Sequence, residues 1–466
     1  MGNLPPLKLP RLTADKNFQA LDPFDGRYYD GETAQYLSEE SRIAYQAYIE
    51  AALADTLADF GICSRKVADD IIAASRKVTG KEVDTEEQTT RHDIKAVVNT
   101  IKKYLNDEAK PYVHFGATSY DIITAATMLQ LRDATQQVVI PRLKALIKIL
   151  CELTKKYAAT PQIGRTHGQH AVPITFGLAM SEYVSRLGRS TEALQALSDS
   201  LEAKFSGAVG AYNALSTFVD DPLAFEAALL KKAGLTPAEF SNQIVPPEGI
   251  IRLIDELVIA AGIMANLGHD MRHLQRTEIA EIRERFEKGQ TGSSTMAHKR
   301  NPWNFENVVS MHKQILGQAV SANLNIASEH QRDLTDSAAA RFYPLAIAGV
   351  ASMAKRLSNV MSKLEVDEEA MQRNLRMTGG AIAAEPLYLL LAKHGHTTAH
   401  EAAKRMSQDA LETQTPLADY VQSDAEGKQY WSKFTDRERA IIAQPESYYT
   451  GKAEQKARHI AKRWST

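Results

Sequence analysis

The sequence predicts an all-α protein built around an elongated bundle of long helices and divided into three domains. Three observations carry that prediction. Strand signals are sparse. Long stretches without internal proline repeat apolar residues every three to four positions, the period of a helix face. Composition changes at both ends of the most regular block, where Gly, Pro and Asp turns replace the long periodic runs.

Taken in order, the opening residues MGNLPPLKLPRLTADKNF are punctuated by proline and lack the apolar core of a signal peptide, so a loose arm is expected. Residues 1–121 mix short helices with turns such as LDPFDGRYYDG and form the first domain. Residues 122–365 form the central bundle domain. Its long helices are expected at 122–157, 175–205, 305–329 and 345–364, with the clearest one between them. After Pro246 and Pro247, the residues Ile250, Leu253, Leu257, Ala261, Met264, Gly268, Met271 and Leu274 recur close to every 3.5 positions. Proline at the entry and Gly289 beyond the last charged turn bracket about 40 residues, a helix of roughly 60 Å. Shorter helices separated by turns such as RMTGGA and KHGHTTAH make the third domain, residues 366–466. Apolar seams on several faces of such helices are most simply buried by identical copies, so a symmetric homo-oligomer is expected.

The bulk numbers exclude several classes. With 55 basic and 57 acidic residues the net charge of −2 gives no nucleic-acid footprint. The two cysteines, Cys63 and Cys151, are too few for a disulfide framework and too far apart for a zinc ribbon, which fits a cytoplasmic location. The apolar run LVIAAGIMA is about half the ~20 residues needed to cross a bilayer, so no membrane insertion is expected.

Four polar clusters interrupt the helical pattern. TRHD, Thr90 to Asp93, sets a histidine beside a carboxylate, which suits acid–base work but is also common on helix surfaces. HFGATSYD, His114 to Asp121, contains the T-x-x-D helix start, whose free N–H groups either bind an anion or make an ordinary cap. GRTHGQHAVP, Gly164 to Pro173, packs more donors into one turn than packing explains. His167 and His170 have no third ligand nearby, so a metal site is not expected. His396 and His400 have metalloprotease spacing, but Thr397 stands where that motif needs Glu, and surface polarity accounts for the pair. The fourth cluster is TGSSTMAHKRNPWNFEN, Thr291 to Asn307. It combines glycine, two serines, a basic pair and a helix-starting Asn-Pro, the parts of an active-site lid rather than of a plain surface loop.

GSSTMAHKRNP resembles the signature of the fumarase/aspartase superfamily, whose members release fumarate by β-elimination. DGRY, TRHD, HFGATS, GRTHGQ, SNQ, NFEN and RDLTDSAAAR follow the order and approximate spacing of the adenylosuccinate lyase family over nearly the whole chain. That resemblance implies an all-α, three-domain subunit and a homotetramer with a twenty-helix core. Each active site would be shared between subunits and take adenylosuccinate or SAICAR, with no metal or organic cofactor. It implies Ser293 as the general base and His167 as the general acid toward the departing nitrogen. Glu306 would orient His167, His92 would support the substrate near it, and Lys299 and Asn301 would stabilise the charged intermediate. Thr118, Ser119, Gln243 and Lys299 would hold the fumarate carboxylates. Arg27, Tyr28, Arg332, Ser337 and Arg341 would hold the nucleotide phosphate, while Arg91, Asp93 and His114 join the site by motif. Ala297 departs from the family's usual proline and would loosen the loop. The rival readings are another superfamily lyase, acting on argininosuccinate, aspartate or fumarate, a carboxymuconate cycloisomerase, or a non-catalytic crystallin-like protein. The phosphate set and the intact His167, Ser293 and Lys299 argue against them.

Overall fold

The structure is a computed structural model that describes residues 22–287, 289, 295–296 and 298–465. The arm expected at the N-terminus lies outside the described residues, as do Ser293, Ser294, Gly292 and Ala297 of the fourth cluster.

Helices dominate as expected, and the strands among the described residues form only three two-stranded pairs. Ser119–Ala134, the π-turn Thr135–Val139 and Ile140–Lys156 follow one another without a break where one long helix is expected. Phe176–Asp199, Trp303–Leu324 and Tyr343–Met361 likewise occupy their expected stretches, each a few residues shorter at the C-terminal end. The clearest sequence signal overshoots. The helix Glu248–Leu274 ends 15 residues before Gly289, so its length is about 40 Å rather than 60. Beyond it Ala280 adopts a left-handed φ of 54°, and Ile282–Arg283 pairs as a strand with Glu365–Val366. No glycine or proline marks that stop; tertiary partners of Glu281 and Glu284, described below, override helix propensity there.

The chain divides into two compact units. The first comprises Met1–Pro141, Ala193–Val258 and Gln314–Ser352. In it the helix Glu39–Asp59 buries Ile49, Leu53 and Leu57 against the helices Arg65–Ser75, through Val67 and Ile71, and Ser119–Ala134, through Ile122 and Leu129. Each such aliphatic side chain contributes about 1.5–3 kcal/mol on burial.

The second unit comprises Arg142–Glu192, Ile259–Lys313 and Met353–Thr466. Its C-terminal part has a core of Leu387, Leu391, Met406, Leu417, Val421 and Phe434. His396 lies against this core, its ring 4.8 Å from that of Tyr430. It is buried, its Nε2 lies 2.9 Å from Glu426 Oε1, and its Nδ1 accepts the Thr398 N–H. Surface polarity therefore describes His400, which is exposed, but not His396. No helix among the described residues is long and apolar enough to cross a membrane.

The GRTHGQHAVP cluster is an antiparallel hairpin, Pro161–Thr166 with Gln169–Thr175, rather than a simple turn between helices. His167 and Gly168 form its two-residue turn with φ of 53° and 74°, the pattern of a type I′ turn whose twist matches the strands. The register slips between Ile163 and Arg165, and Gly164 sits at that irregularity because an added Cβ would lie 2.7 Å from the Val172 carbonyl oxygen.

Candidate functional site

Within the first unit, the HFGATS segment is held from below by a buried charge network. Asp121 Oδ2 accepts the Thr118 N–H at 2.8 Å, the capping contact expected from T-x-x-D. Its Oδ1 accepts from Lys204 and from the N–H groups of Ser206 and Gly207, and both charged side chains are fully buried. Ser206 Oγ in turn meets Ser241 Oγ at 2.7 Å, and Gly210 lies so close to Ser241 that an added Cβ would overlap its carbonyl. Thr118 and Ser119 are therefore fixed to the SNQ segment through Asp121. Sequence reading saw in Asp121 only a cap, since Lys204 is 83 positions away.

His114, at a left-handed φ of 64°, places Nδ1 2.6 Å from the fully buried Glu50 carboxylate, which also accepts the His114 N–H. Burial disfavours its imidazolium, but Glu50 outweighs that and raises its pKa above the usual histidine value. His92 caps the helix Asp93–Lys103, its Nδ1 accepting from the Lys95 N–H, and it stays half-exposed. Arg91 ends the preceding helix at a left-handed φ of 50°.

The same unit gathers the proposed phosphate residues. Arg341 pairs with Asp93 at 3.3 Å. Arg332, almost fully buried, pairs with Asp336 at 2.7 Å and donates to the Asn325 carbonyl. The Gln243 N–H reaches the Gln331 carbonyl, joining the SNQ segment to Arg332. Arg332 Nε and Asp336 Oδ1 are buried without a hydrogen-bond partner among the described residues, an arrangement native proteins rarely leave without a ligand or water. Tyr120 sits among these charges. Burial, then Asp336 and Asp93, push its hydroxyl pKa up, while Arg332 and Arg341 oppose the shift. Tyr120 and Asp336 were missed by sequence reading, although both lie inside quoted motifs. A cavity of about 620 Å³ is lined by Tyr28, Asp25, Glu39, Arg341 and Phe24. Arg27 and Ser337 are exposed near the ends of their motifs.

Within the second unit, His167 projects from the hairpin turn and is exposed, with no hydrogen-bond partner among the described residues. A non-glycine residue at positive φ in a dense donor cluster is the kind of local strain that collects at working sites. His170, across the strand from Arg165, lies below the usual histidine pKa because of burial and then the Arg165 cation. Lys299 is exposed and Asn301 half-buried. Glu306 faces Arg272 at 3.6 Å, and no hydrogen bond or ion pair joins it to His167 among the described residues.

The residues that precede the fourth cluster are pinned to its second half. Gln275 Oε1 accepts the Glu284 N–H, and its Nε2 donates to the Arg300 carbonyl. The buried Glu284 carboxylate accepts the N–H groups of Asn304 and Phe305 and the Asn304 side-chain amide, so it caps the helix Trp303–Leu324 from outside. Arg356 donates to Asn304 Oδ1 from the other side. Among the described residues no three of His, Cys, Asp or Glu converge as a metal site.

Chemically, the first unit offers cations, hydroxyls and helix-end N–H groups for a polyanion, and the second offers an exposed imidazole. Comparison with known proteins narrows this. A lyase family model matches residues 26–317, and an adenylosuccinate lyase C-terminal model matches residues 328–437. The chain is 36% identical over 417 residues to an adenylosuccinate lyase of Pyrococcus abyssi, covering 88% of this chain and 92% of that one. It is 34% identical to an adenylosuccinate lyase of Pyrococcus horikoshii, covering 95% and 97%. Among solved structures it resembles a 3-carboxy-cis,cis-muconate lactonizing enzyme from Pseudomonas putida, with TM-score 0.83 at 27% identity over 94% of this chain and 98% of that one.

Proposed function

The chain belongs to the adenylosuccinate lyase family, within the fumarase/aspartase superfamily, and from that premise we propose how its residues carry out the elimination. The reaction is the β-elimination of fumarate from adenylosuccinate to leave AMP, a carbon–nitrogen lyase step in purine synthesis. The same residues act on SAICAR to give AICAR.

The step needs a base for a weakly acidic proton next to a carboxylate and an acid for the departing nitrogen. Ser293 takes the proton. His167 delivers one to the leaving nitrogen from the hairpin turn. Lys299, Asn301 and the N–H groups at the start of the helix Ser119–Ala134 stabilise the extra negative charge that builds on the carboxylate. Thr118, Ser119 and Gln243 orient the departing fumarate. Arg332 and Arg341, with Arg27, Tyr28 and Ser337, hold the phosphate, His92 supports the substrate near His167, and Arg91 and His114 join the substrate site. Asp93, 3.3 Å from the Arg341 guanidinium, joins the same part of the site.

Glu306 partners His167 in an assembled homotetramer. Within the chain it faces Arg272; in this reading the carboxylate that serves a given His167 comes from another copy, and each active site is shared between subunits. The tetramer buries the apolar side chains left exposed on the long helices, among them Ile259, Leu316, Val320 and Leu324. The three stretches 1–121, 122–365 and 366–466 act as the domains of that subunit, and the enzyme works in the cytoplasm.

The single observation that carries the reading is the relationship itself: 36% identity to an adenylosuccinate lyase across most of both chains, with every reacting residue type present at its motif position. The muconate lactonizing neighbour makes a cycloisomerase the second reading, but such a substrate has no use for the Arg332 and Arg341 set. The roles are tested by Ser293→Ala and His167→Ala. Each is expected to lower turnover by about 10²–10⁴-fold while substrate binding, followed by calorimetry, persists. Near-normal turnover in either variant removes that residue from its role.

A further inference from the structure

We infer that Glu281 is the positioning residue for His167: a buried carboxylate that locks the hairpin below its turn to the helix Glu368–Arg376. The inference rests on the reading of His167 as the general acid and adds to it the group that aims the imidazole.

Glu281 is fully buried, and both of its oxygens are occupied twice. Oε2 accepts from Gln162 Nε2 at 2.8 Å and from Arg165 Nη1 at 3.2 Å. Oε1 accepts from Arg165 Nη2 at 2.6 Å and from Asn374 Nδ2 at 2.8 Å. Those four contacts use the capacity of an ionised carboxylate, and the two from Arg165 form a forked, charge-assisted pair that fixes direction as well as distance. Gln162 and Arg165 lie on the first hairpin strand, and Arg165 is two residues before His167.

The hairpin needs such an anchor. Its regular pairing breaks between Ile163 and Arg165, so only the Arg165–His170 and Thr166–Gln169 pairs lie beyond the irregularity and carry the turn. A short two-stranded ribbon is marginal without support. The Arg165–Glu281 fork enters at the point where the ladder is interrupted.

Glu281 is itself well placed to bear load. Its N–H reaches the Leu274 carbonyl at the end of the long helix, and its carbonyl accepts the Asp367 N–H. The next two residues pair with Glu365–Val366. Three positions further on, Glu284 pins Asn304 and Phe305 at the exit of the cluster that contains Ser293. One short stretch therefore supports both the His167 turn and the helix start carrying Glu306. A misplacement of about 1 Å in a reacting group can lower a rate by about 10²-fold, so this support bears on turnover rather than on ground-state binding.

The test compares Glu281→Gln, Arg165→Gln and the double variant with the intact protein and with His167→Ala. Steady-state kcat and KM are measured on adenylosuccinate, and folding is followed by circular dichroism and melting temperature. Glu281→Gln keeps the shape but leaves Arg165 uncompensated. It is expected to lower kcat by about 10–100-fold with KM within about threefold, and Arg165→Gln is expected to show the same split. The double variant should lose less than the product of the single losses, because both remove one anchor. If folded Glu281→Gln and Arg165→Gln keep kcat within threefold while His167→Ala is inactive, the positioning role is overturned and the acid assignment stands. If His167→Ala turns over normally, the acid assignment falls and takes this inference with it. If kcat losses only track loss of folded protein in both single variants, Glu281 is a structural residue and the inference is overturned.

Discussion

Replacing Asp121 with alanine tests the buried network that holds the Thr118–Ser119 helix start. The substitution removes the partner of a fully buried Lys204 ammonium, leaving only the Gly207 carbonyl at 2.9 Å. It also removes the acceptor for three backbone N–H groups, those of Thr118, Ser206 and Gly207. Breaking a buried ion pair from one side costs about 3–5 kcal/mol, against a typical net stability of about 5–15 kcal/mol. At about 1.4 kcal/mol per decade the folding equilibrium moves by two to three and a half orders of magnitude. Urea unfolding followed by far-ultraviolet circular dichroism reads this as a lower midpoint. The double variant Asp121→Leu with Lys204→Met should regain at least half of the loss, since apolar replacements of a buried pair are often tolerated. A single-variant cost below about 1 kcal/mol, or a double variant as unstable as the sum of two singles, would refute the reasoning.

Two further predictions follow from the charges in the first unit. His114 has its pKa raised in the fold, through Glu50 acting against burial. Its protonation therefore contributes stability that is fully present below about pH 6.5, the unfolded value, and is lost as pH rises through the folded value. The melting-temperature gap between intact protein and His114→Gln should be widest at pH 6 and narrow by pH 9; a gap that does not change with pH would refute this. Arg341 is half-exposed and pairs only loosely with Asp93 at 3.3 Å. Arg341→Gln should raise KM for adenylosuccinate about 10–100-fold, the worth of a charge-assisted hydrogen bond to phosphate, with kcat within about threefold. A drop in kcat at constant KM would instead place Arg341 at the chemistry.

Much of the fold was legible in the sequence because long helices announce themselves by apolar period, and those at 176–199, 303–324 and 343–361 sit where the pattern puts them. The helix after Pro247 shows the limit. QRTEIAEIRERF continues a plausible helical pattern without glycine or proline, yet the helix stops at Leu274. What stops it are partners distant in sequence: Gln162, Arg165 and Asn374 for Glu281, and Asn304 and Phe305 for Glu284. A buried carboxylate looks like a surface one until its donors are known. The same blindness hid Asp121 with Lys204 and Glu50 with His114, and it made His396 look like a surface residue when it is buried against a core. The hairpin escaped notice because its turn is His-Gly rather than the stronger Asn-Gly signal. Of the candidate site, GRTHGQ stood out because so dense a set of donors is unusual in one turn, whereas TRHD by itself read equally as a helix-surface pair. Tyr120 and Asp336 did not stand out, being ordinary residue types that only the fold places near Arg332.

Every role assigned to a residue rests on this chain removing fumarate from adenylosuccinate. The most direct test incubates the purified protein with adenylosuccinate, argininosuccinate and 3-carboxy-cis,cis-muconate in parallel and follows products by chromatography. Release of AMP and fumarate in equal amounts from adenylosuccinate, with the other two substrates unchanged, is the predicted result. Turnover of argininosuccinate or the muconate with adenylosuccinate left intact would contradict it.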